Sequence, residues 1–377
     1  MKITDVKTTV IKGNFEWTLV RVHTDEGITG LGEAYWGAGV KETILHMKDM
    51  LVGQDPTDVE RIYQDMYRAF LACGSTGGIA VTAISGIEIA LWDIAGKALN
   101  APVYKLLGGK FRDKIRVYAD CGSDPARRPE AYARKALEVR DRGYTAMKFD
   151  IDGTFPELPQ RDRYNRCLSA AEVERMAGLV KAVREAVGNE VDLAIDLHWS
   201  YNTVDAIKIA HRLEEYDLMW LEDPIPPENV DALAKVTAAT RTPICTGENL
   251  YTKHGFRELI EKQAADILEP DIPKVGGLAE TKKIADMAES YYIPVAPHNV
   301  SSPVGTIAAA HMCASIPNFL ALEFHSADVA WWNDLVKTDK PIISEGYIQL
   351  LDEPGLGVEL NEEMISKHLK KGETFFA

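Results

Sequence analysis

Positive charge, paired cysteines and long apolar runs are all scarce in this sequence. Its 42 Lys and Arg are outnumbered by 57 Asp and Glu, giving a net charge of -15. A broad nucleic-acid footprint needs a basic face, so that class of partner is excluded as an expectation. An anionic small molecule is not excluded, because a bound divalent cation can invert the local field. The five cysteines (Cys73, Cys121, Cys167, Cys245, Cys313) are dispersed, odd in number and without a CxxC pair. Such a set suggests reduced thiols in a cytoplasmic protein, not a disulfide framework. The opening MKITDVKTTVIKG is polar and alternating, unlike a signal peptide, and no apolar run approaches a membrane span. What is present is an ordinary globular balance of 46% hydrophobic and 26% charged residues over 377 positions. That length suits a barrel with a smaller partner domain.

The chain changes rhythm near residue 116. Before it, three alternating runs (Ile3 to Ile11, Trp17 to His23, Ile28 to Ala34) joined by tight turns predict an antiparallel meander. Helical patterns over 40–51, 56–72 and 79–97 follow, which makes residues 1–115 an α+β unit. After it, eight short apolar runs alternate with amphipathic helices. They are 115–119, 146–149, 191–197, 218–221, 243–246, 266–268, 293–296 and 319–324. Continuous apolar runs are what buried parallel strands require. Eight βα units over about 210 residues predict a (β/α)8 barrel within 116–345, an open doubly wound sheet being the alternative. The tail, 346–377, has no place in such a barrel and is expected to pack back on the first unit. A polar, arginine-bearing insertion at 152–167 is a candidate lid or specificity loop.

In a barrel, chemistry belongs at the C-terminal ends of the strands. There the runs close on Asp150, Asp196, Glu222, Glu248, Asp271, His298 and Glu323. Single acids after strands are usually caps or turn formers. Recurrence at one structural position is not explained that way, and caps would not include Lys148 or His298. Asp196, Glu222 and Glu248 stand 26 residues apart, one repeat each, so they come from adjacent strands. Three converging carboxylates need a cation, and an all-oxygen set selects Mg²⁺, with Mn²⁺ next. Asp271 and His298, on neighbouring strands, suit a tautomer-fixed general base. His198 lies two residues beyond Asp196 and, by strand alternation, on its side. It is a candidate general acid. Lys148 is a candidate acid/base group or carboxylate partner. Glu323 is a candidate for binding an enolic oxygen or for orienting Lys148 or His298.

The motifs AIDLH, WLEDPIPPEN, TGENL, EPDIPKVGG and PVAPHN, with GITGLGEA and ISGIEIALWDIAGKALNAPVYKLLGG nearer the start, resemble the enolase superfamily. The match is to its mandelate racemase-like subgroup, over essentially the whole chain. The resemblance implies Mg²⁺ on Asp196, Glu222 and Glu248, a His298–Asp271 base, and abstraction of the proton α to a substrate carboxylate. A Lys or His base working beside magnesium is the established pattern of that superfamily. Where two-sided racemases show Lys-x-Lys, this chain has Lys148-Phe149-Asp150. That departure, with Asp196-x-His198, is similar to the galactonate, gluconate and xylonate dehydratases.

The resulting expectation is a carbon–oxygen hydro-lyase converting an aldonic acid to a 2-keto-3-deoxy acid. Here His298 takes the C2 proton and His198 protonates the departing C3 hydroxyl. The alternatives are a racemase or epimerase at the same carbon, a mannonate dehydratase and a non-catalytic binding protein. Asn14, Tyr35, Trp36, Arg161, Arg163 and Asn249 are the candidate contacts to a polyol acid. A homo-oligomer is the base-rate expectation.

Overall fold

The structure is a computed structural model that describes residues 1–159 and 164–376. Three strands open it: β1 (Ile3–Lys12), β2 (Glu16–Thr24) and β3 (Thr29–Ala34). They pair antiparallel in the order β1-β2-β3, with Val10 opposite Thr18 and Val22 opposite Gly30. The helix Gly78–Ala98 lies on this sheet at unusually short range. A Cβ on Gly30 would stand 2.0 Å from the Ala90 carbonyl oxygen, and one on Gly32 would stand 2.1 Å from that of Gly86. The glycines of GITGLGEA are thus a contact requirement. This helix is long and apolar enough to cross a membrane by length and composition, but most of its apolar window is buried inside the fold.

The barrel follows as β4 (Lys114–Asp120), β5 (Ala146–Asp150), β6 (Asp192–Asp196), β7 (Trp220–Glu222), β8 (Ile244–Thr246), β9 (Ile267–Leu268) and β10 (Leu322–Phe324). Consecutive members from β4 to β9 pair in parallel, and β10 closes the ring by pairing with β4. The seventh position differs from the expected run. Only Val295 bridges there, to Leu268 on one side and Phe319 on the other. Pro294 and Pro297 flank that bridge and lack the N–H groups a longer ladder needs. The (β/α)8 expectation therefore holds, with one strand cut to its minimum.

Side-chain alternation splits each strand. Outward residues such as Met147, Leu193, Ile195, Leu221 and Ile244 join the main core beneath the helices. Inward residues form a separate plug of Tyr118, Ala146, Ala194, Trp220, Cys245, Ile267, Ala296 and Ala321. Tyr118 and Trp220 meet edge to face, 5.1 Å between ring centroids, and the alanines leave room for them. This plug seals the barrel floor and leaves the next inward layer, toward the strand C-termini, for polar groups.

After the barrel, β11 (Ile343–Ser344) and β12 (Tyr347–Gln349) form a hairpin on the first half of β4. The chain then reaches the meander. Lys12 N–H donates to the His368 carbonyl at 2.8 Å, and Lys370 N–H to that of Val10 at 2.9 Å. The meander unit also grips two barrel loops. Glu33, buried on β3, accepts from the N–H groups of Ser302 and Gly305, both at 2.9 Å. These N–H groups lie at the start of the helix Pro303–Ala314. Glu88 accepts from Leu278 and Ala279, at 2.8 and 2.9 Å, where the helix Leu278–Glu289 begins. Both carboxylates thus satisfy orphan helix N-terminal donors across a domain boundary. Replacing Glu33 by Ala leaves two buried N–H groups without an acceptor, a cost on the order of 3 kcal/mol. Urea unfolding should show that loss; a change below about 0.5 kcal/mol would contradict the clamp.

Candidate active site

The layer above the plug is ionisable nearly all the way round. β4 contributes Asp120, β5 Lys148 and Asp150, β6 Asp196, β7 Glu222, and β10 Glu323. Glu269 follows β9, and His298 follows the seventh position. The fifth position is solved differently. Gly247, at φ 145°, turns the backbone where a Cβ would come 2.8 Å from the Phe256 ring. Glu248 after it reaches the His298 Nε2 at 3.0 Å.

Lys148 is the centre of this layer. Its side chain is 1% exposed, and its Nζ contacts Glu222. Glu323 stands at 2.9 Å, Asp120 at 3.5 Å and Asp196 at 3.6 Å. Burial opposes its charge, but Glu222 and Glu323 outweigh burial and hold its pKa well above the ordinary lysine value. In turn burial pushes the Glu222 carboxyl up, with the Glu269 charge adding to it and Lys148 opposing. Glu323 is the exception. Burial pushes it up, yet Lys148, His298 and His325 pull it well below the usual range.

Two close imidazole–carboxylate pairs face this cluster, beside a looser His325–Asp120 contact at 3.6 Å. His298 Nδ1 is 2.6 Å from Asp271 Oδ2, which fixes Nδ1 as the donor and leaves Nε2 as the basic atom. Burial works to lower the His298 pKa, but Glu248, Glu323 and Asp271 together push it up to about 9. His198 Nδ1 lies 3.3 Å from Asp152 Oδ1, and its Nε2 lies 3.3 Å from Asp196 Oδ2. Burial again opposes charge, and Asp152, Asp196 and Asp150 raise this pKa to about 10. His198 does face Asp196, but not by strand alternation. β6 has ended, and positive φ at His198 (44°) and Trp199 (56°) curls the chain back. The His198 N–H donates to Asp196 Oδ1 at 2.8 Å and holds that curl.

The remaining candidates are spread around the mouth. Asn14 spans to the eighth-strand end, donating to the His325 carbonyl at 3.1 Å and accepting from Ser326 at 3.2 Å. Tyr35 lies 6.0 Å from the His298 ring and 5.8 Å from that of Trp36, which is exposed. Asn249 accepts from Lys274 at 2.6 Å. Arg161 and Arg163 lie outside the described residues. Sequence reasoning assigned no role to Asp120, Asp152, Asp223, Glu269, Lys274 or His325. Asp120 closes the first apolar run and carries the same signal as the others. Asp152 opens the 152–167 insertion marked as a candidate lid or specificity loop, but no periodicity singled out the residue itself.

The donor set fits a divalent cation. Both Glu269 carboxylate oxygens and Asp271 Oδ1 are buried without a hydrogen-bond partner. Asp150 is pushed up to about 8 by burial and by the neighbouring Asp120 and Asp196 charges. Negative charge here exceeds what Lys148 and the histidines balance, which a hard cation relieves. Ligand atoms of Asp150, Asp196 and His198 lie within 4.8 Å of one another, a candidate metal cluster that shares only Asp196 with the expected triad. Asp196 and Glu222 meet around Lys148, whereas Glu248 is turned toward His298.

A closed (β/α)8 barrel with carboxylate-partnered imidazoles and surplus carboxylates at its mouth has the make-up of an enzyme that moves protons. Two family models cover nearly all of it. The mandelate racemase / muconate lactonizing enzyme N-terminal domain matches residues 6–108, and the enolase C-terminal domain-like model matches 131–364. The chain belongs to the enolase superfamily, in its mandelate racemase-like group, as the sequence motifs implied. It is 50% identical over 376 residues to a D-xylonate dehydratase of Haloferax volcanii, spanning 100% of this chain and 90% of that one. A mandelate racemase/muconate lactonizing enzyme-like protein from Rubrobacter xylanophilus superposes with a TM-score of 0.95 at 47% identity, covering 100% and 99%. The 3,6-anhydro-D-galactonate cycloisomerase of Zobellia galactanivorans gives 0.86 at 30%, covering 98% and 100%.

A cation held by Glu248 takes away the charge beside His298 Nε2 that raises its pKa. Imidazole-resolved NMR titration should therefore find His298 titrating near 9 without metal and lower with saturating Mg²⁺. An unchanged value would place the cation away from Glu248.

Proposed function

We propose that this enzyme dehydrates an aldonic acid of the D-xylonate type to the 2-keto-3-deoxy acid. The observation that carries the reading is the pair of carboxylate-partnered histidines just after β6 and at the seventh position. They stand four strands apart in an eight-membered ring, so a substrate between them meets a proton acceptor on one side and a donor on the other. The identity to the Haloferax volcanii dehydratase supports the substrate class.

In this reading Asp196, Glu222 and Glu248 would hold Mg²⁺. When bound, that ion supplies Lewis-acid stabilisation of negative charge developing on the substrate carboxylate. His298 Nε2 takes the C2 proton, and Asp271 keeps the imidazole in the required tautomer. His198, oriented by Asp152, gives a proton to the C3 hydroxyl as it leaves. The enol then tautomerises, and C3 gains one proton. Lys148 keeps the carboxylate layer ordered, and Glu323 orients Lys148. Asn14, Tyr35, Trp36 and Asn249 border the bound acid. The catalytic barrel corresponds to 116–345, capped by 1–115 and 346–377.

A panel of sugar acids with Mg²⁺, assayed for keto-acid, tests the reading. At least one C5 or C6 acid should give product. His198→Asn should lower kcat by about 10²–10⁴-fold, the range for losing a general acid. Inversion at C2 without keto-acid, insensitive to His198→Asn, would indicate a racemase instead.

A further inference from the structure

Two lysines are buried at the barrel mouth, and their surroundings are opposite. Lys148 has four carboxylates within 4 Å. Lys274 is 5% exposed, yet among the described residues it forms no ion pair. Its Nζ donates to Asn249 Oδ1 at 2.6 Å and stands 4.5 Å from the centre of the Tyr35 ring. An amide oxygen and a ring face position an ammonium, but they do not cancel its charge. A buried charge without an opposite partner is costly to keep.

Its location is defined by the dyad. Lys274 lies in the one-turn helix Ile272–Val275 that follows Asp271, and its N–H donates to the Asp271 carbonyl at 3.0 Å. The meander unit holds the same segment: the Tyr35 N–H donates to the Pro273 carbonyl at 3.0 Å, and Ser85 Oγ accepts from the Gly276 N–H at 2.9 Å. Tyr35, which lies over Lys274, is also the aromatic neighbour of His298. The ammonium is thus held rigidly on the His298 side of the mouth.

We propose that Lys274 is a substrate-binding residue whose missing counter-ion is the carboxylate of the substrate, with Tyr35 and Asn249 fixing where the ammonium stands. This rests on the acid-substrate reading above and adds a cationic contact supplied by the chain itself. It also gives Tyr35 and Asn249 a defined task, that of positioning Lys274.

The test compares the Mg²⁺-loaded wild type with Lys274→Met. The expected result is a KM for the sugar acid raised tenfold or more, with a smaller change in kcat. Glycolate, a hydroxy acid with no polyol tail, should lose inhibitory affinity by a similar factor, and Lys274→Arg should recover part of both. A KM within twofold of wild type overturns the proposal. So does a raised KM with glycolate inhibition intact, which would assign Lys274 to the tail. A fall in kcat and melting temperature together, without selective loss of acid affinity, would mark a structural lysine and also overturn it. Should Lys274→Met fail to fold, Lys274→Gln supplies the same comparison. If the wild type turns over no sugar acid, the dehydratase reading fails separately. Calorimetric binding of glycolate to both proteins then still decides for or against Lys274.

Discussion

Buried negative charge at the mouth of the barrel is the constraint on which the rest of the molecule depends. Burial alone drives Glu222, Asp223 and Glu269 toward their neutral forms, and neighbouring acids reinforce it. Such a cluster persists only where something fixed balances it. Lys148 is that fixed balance, and its carboxylate contacts come from four strands: β4, β6, β7 and β10. The ring of strands is therefore tied at its centre by one ammonium. The same excess of charge makes room for a divalent cation and keeps the two histidines basic. Fold, metal affinity and proton transfer share one electrostatic origin.

The second dependence is mechanical. Asp271 and His298 are followed by loops that run out over the barrel rim. A rim loop left free would not hold a 2.6 Å hydrogen bond in register. The meander unit holds both: Glu88 and Ser85 take the turn after Asp271, and Glu33 takes the one after His298. Close packing of the helix Gly78–Ala98 against Gly30 and Gly32 makes the holder stiff. Catalytic geometry needs tolerances of this kind, and clamped backbone supplies them.

Much of this was legible in the residues. The βα rhythm predicted the barrel because buried parallel strands leave continuous apolar runs. The strand-end acids marked the mouth because ionisable groups have no other reason to recur there. Asp271 with His298 followed from adjacency of strands. Other features depend on backbone turns that no periodicity encodes. His198 reaches Asp196 through two residues at positive φ, and Glu248 reaches His298 through Gly247. The seventh strand shrank to one bridge because prolines flank it. Asp152 and Lys274 were not singled out as site residues, since one lies in an aperiodic loop and the other in the one-turn helix Ile272–Val275, and each acquires meaning only from what lies across space.

In the proposed reaction, proton abstraction at C2 is coupled to loss of the C3 hydroxyl between two opposed histidines. It is tested most directly by turnover of a sugar acid in D₂O with Mg²⁺, followed by NMR of product and recovered substrate. The expected product is 2-keto-3-deoxy acid carrying one solvent deuterium at C3. Recovered acid bearing deuterium at an inverted C2, with no keto-acid formed, would contradict it.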